Sequence, residues 1–439
     1  MKIAILSHFG TFQPSYALHV GWHERARLLH RYGVNFDFLV NEGVKSDSFP
    51  HQVNCLKIPS SKVAFDERVK MFAEEYRRLL VDYDVILTSD LVYQSKGNFL
   101  AQNAAMRIAA LNLKAWWCHW IHSSWTAPQQ DVGYPQNLRF KMPPRSFLVY
   151  LNSFELPNLA RMYGTNLHNC HAVYNPKDYR SFHNFDPLSN RIIDELEIPE
   201  KQAVQIFPFC TTRMDAKGID GVIHCAAALK RAGINTALIL ANANSNKRVS
   251  EVAGKKKFME SLGLIEGKDF VWTSDLNDGK AVSRAVIADL FKVSNYFVFT
   301  SWRETVGNVF QEAKINGCQL VLNYNLPCLR EMGGKEALFV QSSFKTPGIS
   351  DGQSGDFQLV SYNPSEVSYW DEVVEHLVPK LPSLEHKWAF SFDNIWKNQF
   401  WPLLHRAYCF SQGKEYHFVH APRVGDNVAD FLARNTEGQ

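Results

Sequence analysis

The chain has 439 residues, a formal charge of +3 and 46% hydrophobic residues, which suits two domains and excludes a disordered or fibrous protein. No run approaches the roughly 18 consecutive apolar residues of a membrane span, and residues 1–9 lack a signal-peptide layout. The eight cysteines (Cys55, Cys118, Cys170, Cys210, Cys225, Cys318, Cys328, Cys409) contain no CxxC pair, which argues against a disulfide framework or zinc site and fits a cytoplasmic protein.

Strand-like and helix-like segments alternate from the start, the pattern of an α/β fold with parallel sheets. Residues 2–7 read as a buried strand, 16–32 as a helix and 34–40 as a second strand. Residues 65–81 form a charged amphipathic helix, followed by strands at 84–89, 114–122 and 146–152 and a helix at 157–163. Residues 171–182, with Asn175-Pro176, read as a connector. A second series then begins: strands at 204–209, 236–241, 270–273, 296–300 and 319–322, with helices at 218–232, 282–292 and 309–316. Residues 345–357 are a Gly/Ser-rich loop, and 425–439 a polar, flexible tail. This predicts two doubly wound domains, 1–180 and 181–385. Ligands would meet the C-terminal strand ends, and two such sheets facing each other make a central cleft.

Two strand–loop–helix segments carry the chemistry. In the first, Thr300-Ser301-Trp302-Arg303-Glu304-Thr305-Val306-Gly307-Asn308-Val309-Phe310-Gln311-Glu312-Ala313, the free N–H groups at the helix start favour a phosphate. Gly307 lets the backbone approach a ligand. In the second, Thr211-Thr212-Arg213-Met214-Asp215-Ala216-Lys217-Gly218, two cations beside a helix start suit a diphosphate. Taken singly, each is equally well a plain strand–turn–helix with solvated charges.

Together these segments resemble the retaining GT-B enzymes of glycosyltransferase family four. The match runs over about residues 170–410: the Asn175-Pro176-Lys177-Asp178 connector, Arg213 with Lys217-Gly218, Glu304 with Gly307-Asn308 and Glu312-Ala313, Asn325-Leu326-Pro327 onward, and Phe390-Ser391-Phe392. The resemblance implies two Rossmann-like domains facing a cleft, with residues 386–424 crossing back to the first domain. It implies that Glu304 contacts donor-sugar hydroxyls, that Glu312 holds the ribose, and that Arg213, Lys217 and Thr212 bind the diphosphate with the Val306, Gly307, Asn308 and Val309 backbone. Gly10, after the first strand, would face the same phosphates. His122, in Trp120-Ile121-His122, would be a pocket histidine, with His119 as its competitor. Asn242 stands where a glycine normally leads to the nucleotide. The transfer needs no metal and no cofactor beyond the nucleotide-sugar substrate, UDP-linked for preference.

The acceptor is less defined. Residues 134–145 form a basic, aromatic loop offering Arg139, Lys141 and Arg145, and residues 1–180 carry a mild positive excess. A glycan, a lipid-linked glycan with peripheral membrane contact, or a hydroxylated base in viral DNA all fit. Two other readings stay open: a GT-B nucleotide-sugar epimerase, and a catalytically silent nucleotide-sugar-binding scaffold.

Overall fold

The computed structural model describes residues 1–7, 17–42, 53–57, 62–122, 131–243, 248–302, 304, 307–341 and 367–436. The chain divides into two compact units, Met1–Asp178 with Ala389–Gln439, and Tyr179–Trp388.

The first unit is built on seven parallel strands: β1 (Lys2–Leu6), β2 (Asn35–Asn41), β3 (Val53–Leu56), β4 (Val85–Ser89), β5 (Trp116–Ile121), β6 (Ser146–Tyr150) and β7 (Cys170–Ala172). They lie in the order β3-β2-β1-β4-β5-β6-β7. Successive side chains point to opposite faces, so both faces must be covered. Ala4, Leu6, Ile86, Trp117 and Leu148 pack under helices Phe65–Leu80, Phe99–Asn112 and Leu156–Tyr163. Ile3, Ile5, Leu87, Trp120 and Val149 pack under helix Ala17–Arg31 and the C-terminal segment, through Phe400, Trp401 and Leu404.

The C-terminal segment differs from the expected flexible tail at 425–439. Val428–Thr436 is a helix, with Val428 and Leu432 buried. The Phe431 ring meets Trp401 edge-on, centroids 5.6 Å apart. The apolar stripe Val428, Phe431, Leu432 has helical spacing, masked in the sequence by its polar neighbours. Helix Phe99–Asn112 and β7 also lie where the sequence suggests no element. That helix is alanine-rich and buried on most of its surface, so it carries no amphipathic contrast. β7 is only three residues long. The Gly/Ser-rich loop expected at 345–357 lies outside the described residues.

The second unit holds two parallel ladders, β10-β9-β8 and β11-β12-β13. Their strands are β8 (Ala203–Cys210), β9 (Thr236–Ala243), β10 (Phe270–Trp272), β11 (Tyr296–Phe299), β12 (Gln319–Asn323) and β13 (Leu338–Val340). Both ladders share one core, and where β8 meets β11 side chains bridge the strands beside one backbone bond, Asn295 N to Val204 O at 3.0 Å. Val204 N donates to Asn295 Oδ1 at 2.8 Å and Ile206 N to Ser294 Oγ at 3.1 Å. The buried Gln205 amide donates to Val298 O and accepts from Val298 N, both at 3.1 Å. Strand order reverses at this seam, the place where doubly wound sheets bind ligands. No helix among the described residues is long and apolar enough to cross a membrane.

The Gln205→Leu variant should strand the buried N–H and C=O of Val298. A loss of roughly 2–4 kcal/mol is expected, read by chemical denaturation; a loss within about 0.5 kcal/mol would refute the bridging role.

Candidate functional site

β8 and β11 end side by side, and each chain turns there into a helix. After β8, one tight turn (Thr211–Arg213) leads to Gly218, whose φ of +70° opens helix Ile219–Arg231. The two loops are stitched together. Thr300 Oγ1 donates to Gly218 O at 2.7 Å, and Trp302 N donates to Ala216 O at 3.1 Å. The Ser301 hydroxyl lies 3.0 Å from Ala216 O and 3.2 Å from Glu304 Oε1, and Asn323 Nδ2 donates to Ser301 O at 3.0 Å. The approach demands glycine: a β-carbon on Gly218 would lie 2.3 Å from the carbonyl oxygen of Thr300, and one on Gly221 would lie 2.6 Å from its Oγ1.

The stitching brings together two residues 87 positions apart, as Lys217 Nζ donates to the Glu304 carboxylate. The lysine side chain is 24% exposed and the glutamate 11%, so the pair is half-buried yet open to a ligand. The Phe299 ring lies under the ammonium, 5.8 Å from its centroid. Beyond Glu304, Gly307 at φ +73° caps helix Asn308–Ile315, which contains Asn308, Val309 and Glu312. Glu312 accepts from Arg284 Nη2 at 2.6 Å. Thr212 and Arg213 are exposed, and the Arg213 guanidinium has no hydrogen-bond or ion-pair partner among the described residues. Gly10 and Val306 lie outside the described residues.

Nearby, the buried Asn242 amide is paired with Ser274: Nδ2 donates to Oγ at 3.0 Å, and Ser274 N donates to Oδ1 at 3.2 Å. A cavity of about 360 Å³ adjoins Ser274, lined also by Val249, Val252, Lys256, Asp275 and Asp278. The sequence reading assigns Ser301 no role beyond its place in the 300–313 segment and does not single out Asn323 or Arg284, whose contacts depend on segments far apart in the chain. Among the described residues no cluster of three or more His, Cys, Asp or Glu is placed to hold a metal.

In the first unit the competing histidines separate clearly. His119 is fully buried with both ring nitrogens engaged: Nδ1 lies 2.8 Å from Thr88 Oγ1 and Nε2 3.1 Å from Ser146 Oγ. Ser146 donates its own proton to Pro144 O, so it accepts from His119 Nε2–H, and Thr88 donates to Nδ1. His119 is a satisfied core residue. His122, at the end of β5, has a side chain only 5% exposed, with Nδ1 3.5 Å from Asp90 Oδ2.

The basic residues 139, 141 and 145 do not form one patch. Arg139 Nε donates to Tyr93 O at 2.5 Å, and its guanidinium lies over the Tyr93 and Phe140 rings. Arg145 precedes β6, at the end of the sheet away from His122; it donates to Lys114 O at 2.6 Å and lies over Trp116. Lys141 is exposed.

No protein-family model matches the chain, and no match is found among curated proteins. Among solved structures, it is similar to a glycosyltransferase from Rickettsia africae at 12% identity, covering 94% of this chain and 100% of that one, with a TM-score of 0.34. HepE of Anabaena, solved with UDP and glucose, is similar at 14% identity, covering 90% and 97%, with a TM-score of 0.32. WaaG, a glycosyltransferase involved in lipopolysaccharide biosynthesis, is similar at 12% identity, covering 94% and 98%, with a TM-score of 0.30.

Two outcomes test this geometry. Gly218→Ala combines left-handed strain with a backbone clash and should destabilise by roughly 2–5 kcal/mol, read from urea melts; near-wild-type stability would show that the loops are not held this closely. Burial keeps the His119 ring neutral down to about 3, and burial with Arg406 keeps His171 neutral down to about 4, against 6.5 unperturbed. Between those values the unfolded chain binds more protons than the folded one, so stability should fall as pH drops from 6.5 toward 4. The slope is about 1.4 kcal/mol per pH unit for each ring, and His119→Gln should flatten it by one proton in acid titrations of stability.

Proposed function

We propose that the protein is a retaining GT-B glycosyltransferase that moves a sugar from a nucleoside diphosphate, UDP for preference, to an acceptor hydroxyl. The observation that carries this reading is the Lys217–Glu304 pair, set beside the glycine-opened starts of two helices at the seam of a doubly wound sheet. Transfer breaks the anomeric C–O bond and builds negative charge on the departing diphosphate. In this reading Lys217 and Arg213 neutralise that charge, helped by N–H groups at the start of helix Asn308–Ile315. Glu304 accepts from donor-sugar hydroxyls and orients Lys217. Glu312 holds the ribose once its contact with Arg284 yields, and the cavity beside Ser274 takes the base. The leaving phosphate oxygen takes the acceptor proton on the same face, so no protein base is assigned, and no metal or cofactor is invoked.

The acceptor best supported is a glycan or glycolipid hydroxyl, handled in the cytoplasm. A DNA acceptor calls for a run of free cations, whereas Arg139 and Arg145 bind backbone carbonyls within their own unit.

Thermal shifts with UDP, GDP, ADP and TDP test the donor site. The preferred nucleotide at about a hundred times its Kd should add roughly 2.7 kcal/mol to the native state, and Glu312→Ala should abolish the gain. In turnover assays Arg213→Ala, Lys217→Ala and Glu304→Ala should each lower kcat by roughly 100-fold or more while melting like wild type. Near-normal rates in all three, or no shift with any nucleotide, would overturn the assignment.

A further inference from the structure

β4 and β5 are neighbours, and their C-terminal ends carry Asp90 and His122. Asp90 meets His122 at two points: Oδ1 accepts from His122 N at 2.7 Å, and Oδ2 lies 3.5 Å from Nδ1, an ion-pair distance and not a hydrogen bond. Its own backbone is committed to the same place. Asp90 N donates to Trp120 O at 2.8 Å, and Asp90 O accepts from Tyr93 N and Gln94 N. Asp90 stands at φ +52° with 4% exposure, a left-handed backbone that a non-glycine residue rarely holds and that clusters at functional sites.

The far side of the ring is different. Nε2 is buried and has no hydrogen-bond partner among the described residues. Trp22 meets the ring edge-on, centroids 6.2 Å apart. The guanidinium of the fully buried Arg25 lies 4.8 Å from the Trp22 ring and 5.4 Å from that of Trp120, and its Nη2 donates to Asn175 Oδ1 at 2.5 Å.

We propose that Asp90 is the positioning residue of His122, holding the ring proton on Nδ1 so that Nε2 is presented as a lone-pair acceptor for a sugar hydroxyl. A carboxylate can only accept, and its charge 3.5 Å away favours a proton over a lone pair on the nitrogen facing it. Ser89 Oγ, also 3.5 Å from Nδ1, accepts from the same N–H or points its proton elsewhere. Arg25 supplies the second half of the arrangement. Burial depresses the pKa of His122, Asp90 opposes that, and the positive charge of Arg25 depresses it further. The ring is therefore neutral at neutral pH, the state in which Nε2 accepts rather than donates. The tautomer stands on this geometry alone; the sugar hydroxyl rests on the glycosyl-transfer reading.

The test is the ¹⁵N spectrum of imidazole-labelled full-length protein at neutral pH, with His122 assigned by difference against His122→Gln. The proposal expects a protonated Nδ1 and an unprotonated Nε2. An Nε2–H tautomer in the wild type overturns it, and that reading needs only the assignment variant His122→Gln, not Asp90→Asn, to fold. Asp90→Asn keeps an oxygen for the His122 amide N–H but turns an NH₂ toward the ring, so it should reverse the tautomer. It should also lower kcat by roughly tenfold or more with the donor KM within about twofold, and add nothing to the loss in His122→Gln. An unchanged tautomer in Asp90→Asn, or losses that multiply in the double variant, overturns the positioning role. A wild type that turns over no nucleotide sugar removes the hydroxyl from the proposal, while the spectrum still decides the tautomer.

Discussion

The second unit depends on how β8 and β11 are joined. Strands of one parallel ladder normally pair through peptide groups, but here a glutamine amide, an asparagine side chain and a serine hydroxyl carry most of the junction, beside a single backbone bond from Asn295 N to Val204 O. A peptide group buried without a partner costs about 1–3 kcal/mol, so Gln205 has little freedom in where it places Val298. That placement brings the ends of β8 and β11 side by side, and everything at the candidate site follows. Thr300 can reach Gly218 only at that spacing, and Lys217 can reach Glu304 only because the loops between them are stitched.

Close approach is the second constraint. Two glycines of the helix start after β8 lie against Thr300 where no β-carbon fits. The helix start is thereby drawn onto the strand end, beside the half-buried ion pair. A half-buried ion pair gains little net stability, since desolvation offsets much of its attraction.

The first unit uses burial to set chemistry. Two histidines lie three residues apart around the end of β5, yet they have opposite fates. His119 points into the layer beneath helices Phe65–Leu80 and Phe99–Asn112 and satisfies both nitrogens with hydroxyls. His122, just past the strand, lies beside one carboxylate and edge-on to Trp22, one of the two tryptophans that carry a buried arginine. The desolvation cost of a buried guanidinium is high, and its pKa falls to about 9 as a result. Cation–π contacts and the Asn175 carbonyl oxygen offset part of that cost.

The α/β class, the parallel strands and most of their positions were legible in the sequence, because apolar periodicity and glycine at strand-to-helix turns are local properties. Arg213, Lys217, Glu304 and Gly307 stood out for the same reason, each lying in the loop after a predicted strand, and Glu312 in the helix that follows. Elements without local contrast were not legible: an alanine-rich helix buried on most sides, a three-residue strand, and a terminal helix whose apolar stripe sits among polar residues. Only the tertiary structure decided that Lys217 meets Glu304, that Gln205 joins two ladders, that Asp90 holds His122, and that Arg139 and Arg145 bind backbone carbonyls. The physical reason is distance along the chain. Local spacing specifies an element and its buried face, whereas a partner 87 residues away is chosen by strand order, which packing sets and no local pattern records.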